Sequence, residues 1–395
     1  MAELRGELGF YIQKSGKLDL IQQLQGNIGV VRLSGKMGAT LTSTQISIVS
    51  ASIPDVIIKE DAEYEFPEYV NLLLSTGATV QFPITGWDLD PDYVDTSVVG
   101  TYIHEAFYEV PDYYLGTKPT VFLTMYVKAV LIISGGILNS YTGFNSRTFL
   151  SAGNLVISEI SKSAKLDVLI VAGGGAGGKG VSTLGNAGGG GAGGVIVQSD
   201  YNLIDNNIQL ATYQIVVGAG GDGYPHEIFR YNGGDSSLFG LIAVGGGGGA
   251  GVSSSSGNTG GSGGGGYGRY PAGGGAGGAG TPNQGNAGGN GIAGTQPWSA
   301  TGGGGGGAGG AGGVGIANVS GGGAGGSPIS NNYRNGNSTN YAQGGKGGEY
   351  NSFTPAVGGA NTGNGGQGGS LYSPGIAAGG SGIVVIRYSS DYILE

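Results

Sequence analysis

The first place in this 395-residue chain where spacing alone suggests chemistry is DVLIVAGGGAGG at 167–178. Gly173, Gly175 and Gly178 fit G-x-G-x-x-G after a strand, the pattern that cradles a dinucleotide pyrophosphate. That chemistry needs a helix next, with its N-terminus facing the phosphates. The chain continues instead with KGVSTLGNAGGGGAGG, a poor helix on propensity. The nucleotide reading is set aside. A second candidate is WDLDPDYVD at 87–95, where Asp88, Asp90 and Asp92 alternate as hard oxygen ligands for Ca²⁺ would. The EF-hand Gly and terminal Glu are missing, so a solvated acidic loop is the preferred reading and no metal is expected. With no Cys, no disulfide or thiolate zinc site can form. His104 and His226 are the two histidines, and neither sits in a nucleophile elbow. The acids of the glycine-rich part do not cluster as a glycosidase pair would. No enzyme and no cofactor are expected.

Aromatic side chains in polar loops are the stronger signal. Tyr267, Arg269 and Tyr270 form YGRY, and Trp298 lies in GTQPWSAT. Tyr333, Arg334 and Tyr341 lie in an Asn-rich stretch, with Tyr350 and Phe353 just beyond it. Such residues contact sugars and proteins with large area at low rotamer cost. These nine are the candidate receptor-contact residues. The competing reading is that each folds over an edge of the structure and caps it.

The elements that must position them are set by an unusual composition. Gly totals 92, of which 15 fall before residue 172. About one residue in three is then Gly, far above the average of about 7%. Collagen is excluded, because Gly comes in runs such as 302–307 and Pro totals only 13. Entropic disorder fits poorly with apolar runs such as VLIV and IVVIRY in the same region. The formal charge is −9 with no basic block, so no nucleic-acid partner is expected. No stretch approaches the roughly 18 apolar residues of a membrane span, so no membrane insertion is expected. MAELRGELGF lacks the apolar core of a secretory signal, and synthesis inside the cell is expected.

The chain divides into three regions. Residues 1–45 carry a repeat near ten residues long: GELGF, GKLDL, GNIGV and GKMGA. A short strand after each Gly cannot bury its apolar side alone, so stacking or partner chains are implied. The repeat resembles the short repeats near the attachment ends of phage fibre and tail proteins. Residues 46–132 hold strand signals bounded by turns: ISIVSASI, YVNLLLS, ATVQFPI, GTYIHEAFYEV and TVFLTMYVK. Gly77, Val80, Pro83, Ile84, Trp87, Asp88, Gly100 and Tyr102 resemble the pattern of bacterial immunoglobulin-like modules, which implies a β-sandwich. Residues 133–395 resemble the glycine-rich domain of phage tail adhesins and related virion fibres. The matching phrases are NSRTFLSAGNLVIS, DVLIVAGGGAGG, YQIVVGAGG, SLFGLIAVGGGGG and GGSGIVVIRY. Polar loops are expected at 252–262, 281–300 and 327–343.

The fold expected is mostly β, modular and elongated. Short N-terminal β repeats lead to an Ig-like sandwich, then to a glycine-rich polyproline-II bundle flanked by strands. In such a bundle backbones without side chains approach closely enough to bond between segments. The resemblance implies a structural virion fibre protein, located on the virion, that attaches to the host surface through loops of the glycine-rich domain. The implied partners are a virion structural protein at the N-terminal region and a host glycan or outer-membrane protein at the tip. A homotrimer is expected. The alternative is a head fibre or decoration protein with a mainly structural role.

Overall fold

The computed structural model describes residues 11–14, 17–20, 46–89, 95–181, 183–223, 231–271, 273–317, 321–350, 355–371 and 375–394. Of the N-terminal repeat region this includes β1 (Tyr11–Lys14) and β2 (Lys17–Leu20). They pair antiparallel, with Tyr11 opposite Leu20. The rest of that repeat lies outside the described residues.

The chain divides into two compact units. One comprises 1–56, 65–93 and 103–124, the other 57–64, 94–102 and 125–395. In one sheet β3 (Ile48–Ser52), β5 (Tyr69–Leu74), β6 (Thr79–Trp87) and β7 (Gly100–Tyr108) pair in that order. Registers are antiparallel: Leu72 opposes Ala51 and Val80, and Trp87 opposes Ala106. Val70, Leu72 and Leu74 are buried while Tyr69 and Leu73 on the other face are exposed, the period-two pattern of a one-sided sheet. The β5–β6 turn needs Gly77, whose φ is +83°, a conformation costly for a residue with a Cβ. The sheet ends with β8 (Val121–Lys128) and β4 (Val56–Lys59). The β4 segment VIIK was not legible as a strand because four residues carry too little periodicity.

The second unit is built on two antiparallel sheets. One has the order β10 (Ile137–Tyr141), β11 (Phe144–Phe149), β20 (Ile383–Ser389), β13 (Lys165–Val171), β14 (Val195–Asn202). The other has the order β15 (Ala211–Ile215), β12 (Gly153–Ile160), β9 (Leu131–Ser134). Between them lie Leu131, Leu155, Ile157, Ile215, Leu166, Val168, Ile170, Val384 and Ile386, all nearly or fully buried. The alternate residues Leu169, Val171, Ile383 and Val385 point the other way, into a second apolar cluster. Strands buried on both faces read as continuous apolar runs, which is why VLIV and IVVIRY do not alternate. Two hairpins complete the set: β16 (Ser236–Leu238) with β17 (Leu241–Ala243), and β18 (Ile329–Asn331) with β19 (Thr339–Tyr341).

The glycine segments grow out of these strands and bond to one another with a period of three. Along 173–178, Gly173 and Ala176 donate to Gly234 and Tyr231. Gly174 and Gly177 donate to Gly380 and Ala377, and Gly175 and Gly178 to Gly191 and Gly188. Each third residue thus returns to the same neighbour, and consecutive residues face three different ones. Segment 187–194 shows the whole scheme. It donates to 363–369, 244–250 and 303–306, and accepts from 175–178, 262–265 and 345–348. A strand in a sheet has two neighbours; this segment has six. Each of its N–H groups is partnered.

Such packing leaves no room for a β-carbon. One added at Gly173 would meet the carbonyl of Ala219, one at Gly177 that of Gln367, and one at Gly304 that of Ala324. None of these three glycines has a positive φ, so the requirement is close approach rather than a left-handed backbone. Where a segment faces solvent, the third position carries a side chain instead. Ala276 and Ala279, Ala311 and Val314, and Ala324 and Ser327 are exposed pairs three residues apart.

Candidate binding face at the apical turns

Segment 172–180 leaves the five-stranded sheet at Val171, and 186–194 returns to it at Val195. The turn between them therefore lies at the end of the lattice away from that sheet, the apical end. Backbone register brings other turns to the same level. Gly268 N donates to Asn186 O, Tyr270 N to Leu184 O, and Gly348 N to Ala187 O. The eight candidates that fall among the described residues consequently divide between the two ends of the lattice.

Tyr267, Arg269, Tyr270, Trp298 and Tyr350 belong to the apical end. Trp298 sits in a short 3-10 turn, Pro297–Ser299, at the tip of loop 292–301. The base of that loop is closed by reciprocal bonds, Ile292 N to Thr301 O and Thr301 N to Ile292 O. Buried Thr301 also donates its Oγ1 to Ile316 O at 3.0 Å, tying in a neighbouring segment. Ser299 Oγ receives Gln296 N and donates to Gln296 O, at 3.1 and 3.0 Å. On this support the indole is 50% exposed. Its centroid lies 6.1 Å from that of half-buried Tyr350, at an interplanar angle of 60°. Arg269 is exposed and Tyr270 half-buried.

Tyr267 is a correction. Its place in YGRY predicts a contact residue, but it is 1% exposed and packs against Ala187 and Ala250. Its Oη donates to Gly185 O at 3.1 Å. Burial pushes its phenol up to about 12, against the opposing charge of Arg269. It is a pillar beneath the apical turns.

Tyr333 and Tyr341 are corrected more completely, while the Arg334 side chain between them stays half-exposed. The composition of 327–343 predicts a projecting polar loop. The stretch forms the β18–β19 hairpin, laid on the outer face of the five-stranded sheet at the opposite end. Tyr333 and Tyr341 are 7% and 1% exposed, packed with Leu169, Val171, Ile383 and Val385. Tyr333 O accepts from Tyr141 Oη at 2.7 Å, and its hydroxyl lies 2.8 Å from Ser199 Oγ. Arg334 O accepts from Ser146 Oγ at 2.6 Å. Burial raises the Tyr341 phenol, with Thr339 and Arg334 opposing. Polarity of composition hid this hairpin, because its two tyrosines point inward.

Phe353 lies outside the described residues, as do His226, Asp90 and Asp92. Asp88 Oδ1 lies 3.3 Å from His104 Nδ1, so this carboxylate already has a neighbour to pair with. Asp95 accepts from Ser97, which lowers its carboxyl below the usual range. Among the described residues no group of three His, Cys, Asp or Glu is placed to hold a metal ion. The G-x-G-x-x-G donors are taken: Gly173, Gly175 and Gly178 N–H all bond to other lattice segments, leaving none for a phosphate.

One organising residue was missed. Asn186 is fully buried. Its Nδ2 donates to Ala300 O at 2.6 Å and its Oδ1 accepts from Leu371 N at 3.1 Å. Together with the bond from Gly268, it joins four stretches of chain at the apical end. The only signal for it was a lone amide in the run LGNAGGGG.

Two family models match the chain. A glycine-rich domain matches residues 151–389, and a bacterial Ig-like domain (group 4) matches residues 52–107. Comparison with curated proteins finds no match.

Proposed function

The chain belongs to the glycine-rich domain family, and on that premise we propose that it is a virion fibre protein that attaches a phage particle to its host. The observation that carries this reading is the half-exposed indole of Trp298, held by hydrogen-bonded turns at the apical end of a rigid lattice. A scaffold whose backbone groups are satisfied internally lets loops vary without disturbing the core. Attachment needs no chemistry, only repeated weak contacts, and several copies on one particle raise avidity well above one site's affinity.

In the same proposal the glycine segments are polyproline-II helices. Their three-residue bonding period is that of this helix, and the absence of positive φ along 173–178 agrees with it. Residues 1–45 are proposed to anchor the chain to another virion protein and to join three copies. A two-stranded hairpin such as β1–β2 is marginal alone and gains stability from partners. Light scattering on the full chain tests this, with the trimer mass expected.

The test of attachment uses fluorescently labelled full-length protein on a panel of bacterial cells. Saturable binding to at least one strain is expected, lost in a Trp298→Ala, Tyr350→Ala variant that melts like the parent. Binding unaffected by that variant would exclude the apical corner. Absence of binding to every strain would leave the structural head-fibre reading.

A further inference from the structure

We infer that the Trp298–Tyr350 corner is a subsite for an uncharged pyranose ring of a surface polysaccharide. This rests on the attachment reading above and names its ligand class. Three observations carry it. The first is geometric. The Tyr350 ring lies 6.1 Å from the Trp298 indole at an interplanar angle of 60°, and Trp298 stays 50% exposed beside it. A flat, electron-rich face beside a second ring is the surface on which the C–H groups of a sugar stack, their partial positive charge meeting the negative face of the ring.

The second is electrostatic. Between Arg269 and Arg334 the sequence contains no Asp, Glu, Lys or Arg. The loop presenting Trp298 and the segment end at Ile316 that Thr301 ties to it fall within that interval. The nearest charges along the chain on the Tyr350 side, Lys346 and Glu349, neutralise each other at 2.6 Å. The loop presenting the indole therefore carries no charge of its own, and a neutral ligand asks for none. The same loop also exposes Thr295 and Gln296, residues of the kind that bond hydroxyls.

The third is pre-organisation. The indole is not a floppy tip: the loop closes on Ile292 and Thr301, turns through the Gln296–Ser299 pair and buries Ser299, Ala300 and Thr301 behind it. An aromatic fixed in place loses little freedom on binding, which suits weak ligands such as single sugar rings.

The chain supplies its own reporter. It has two tryptophans, and Trp87 packs on Phe66 at 4.5 Å in the other unit. In the full-length Trp87→Phe variant the emission comes from Trp298 alone. The experiment titrates this protein with maltotriose, mannotriose, galactotriose and chitotriose, and with tri-galacturonate as the anionic comparison. A saturable blue shift with at least one neutral trisaccharide is expected, and none with the uronate. Retention on that immobilised sugar should fall at least about tenfold in Trp298→Ala and in Tyr350→Ala, and less in Trp298→Phe, at unchanged melting temperature. Response to the uronate alone overturns the proposal. So does silence toward all five sugars while cells are still bound in a Trp298-dependent manner; attachment would then stand with a protein as the ligand. A sugar response without binding to any cell supports the subsite and sinks the attachment reading.

Discussion

The guanidinium carbon of Arg387 lies 4.0 Å from the ring centroid of Tyr333. On its other side Phe144 is 4.3 Å away, and Asp167 Oδ2 meets its Nε and Nη2 at 2.8 and 2.6 Å. One cation from β20 thus clamps the β18–β19 hairpin onto the sheet, through two rings and a carboxylate. Both charged side chains are 14% exposed. Arg387→Met should destabilise the second unit by about 2–3 kcal/mol, short of a fully buried pair because some water contact remains. Adding Asp167→Leu should restore much of that loss, since no unpaired charge is left. Thermal melts of both variants check this; equal loss in both would assign the cost to packing instead.

Glycine position should matter more than glycine number. Gly304→Val places side-chain atoms against the carbonyl of Ala324, in a lattice whose segments cannot separate without breaking bonds. Loss of soluble folded protein is expected. Gly273→Ala is the contrast, since nothing stands within 4 Å of the added carbon. It should be neutral or stabilising by up to about 1 kcal/mol, through the smaller entropy of the unfolded chain. Expression yield and melting temperature read both.

Tyr267 makes a pH prediction. Its folded phenol titrates at about 12, above the ordinary value of 10.0 for the unfolded chain. Its contribution is fully present below pH 10 and is lost as pH rises toward 12, because the unfolded state gives up the proton first. Tyr267→Phe should lower stability at pH 7 by about 1 kcal/mol for the lost bond to Gly185 O. It should also make the fall between pH 10 and 12 shallower. Denaturant midpoints across that range measure both effects, and an unchanged slope would show that other groups set it.

Asn186→Ala should loosen the apical end without unfolding the lattice. Two backbone groups, Ala300 O and Leu371 N, lose their partner, at a cost of roughly 1–3 kcal/mol. Hydrogen exchange is expected to speed up in residues 292–301 and near 371, while 187–194 keeps its protection. Uniform loss of protection would mean that the apical turns and the lattice open together. Cell binding should weaken with the loosened loop.

Much of the strand inventory was readable. Runs such as TVFLTMYVK and NLVIS announce themselves through period-two burial, and β8 and β12 lie where those runs predict. The strands that escaped reading were short or polar: β4, β10 and the β18–β19 hairpin. Of the candidate contact residues, the pattern of exposed-looking aromatics could not separate Trp298 from Tyr341. Both are aromatic residues among Asn, Ser, Thr and Gly. One is half exposed and the other 1% exposed, and only the partner surface distinguishes them.

What the amino-acid order by itself determined is the division of labour along the chain. Apolar runs became strands, and glycine runs became segments without side chains, because each choice is dictated by local sterics and burial. Which glycine faces which neighbour was decided only by the tertiary structure. A residue in segment 187–194 chooses among six neighbours drawn from across nearly 200 residues, and no local pattern encodes that register. The same long-range register carried Tyr333 and Tyr341 to the sheet and Trp298 to the apical end. Backbone hydrogen bonds that must be satisfied somewhere set those positions, and they are satisfied between segments far apart in sequence.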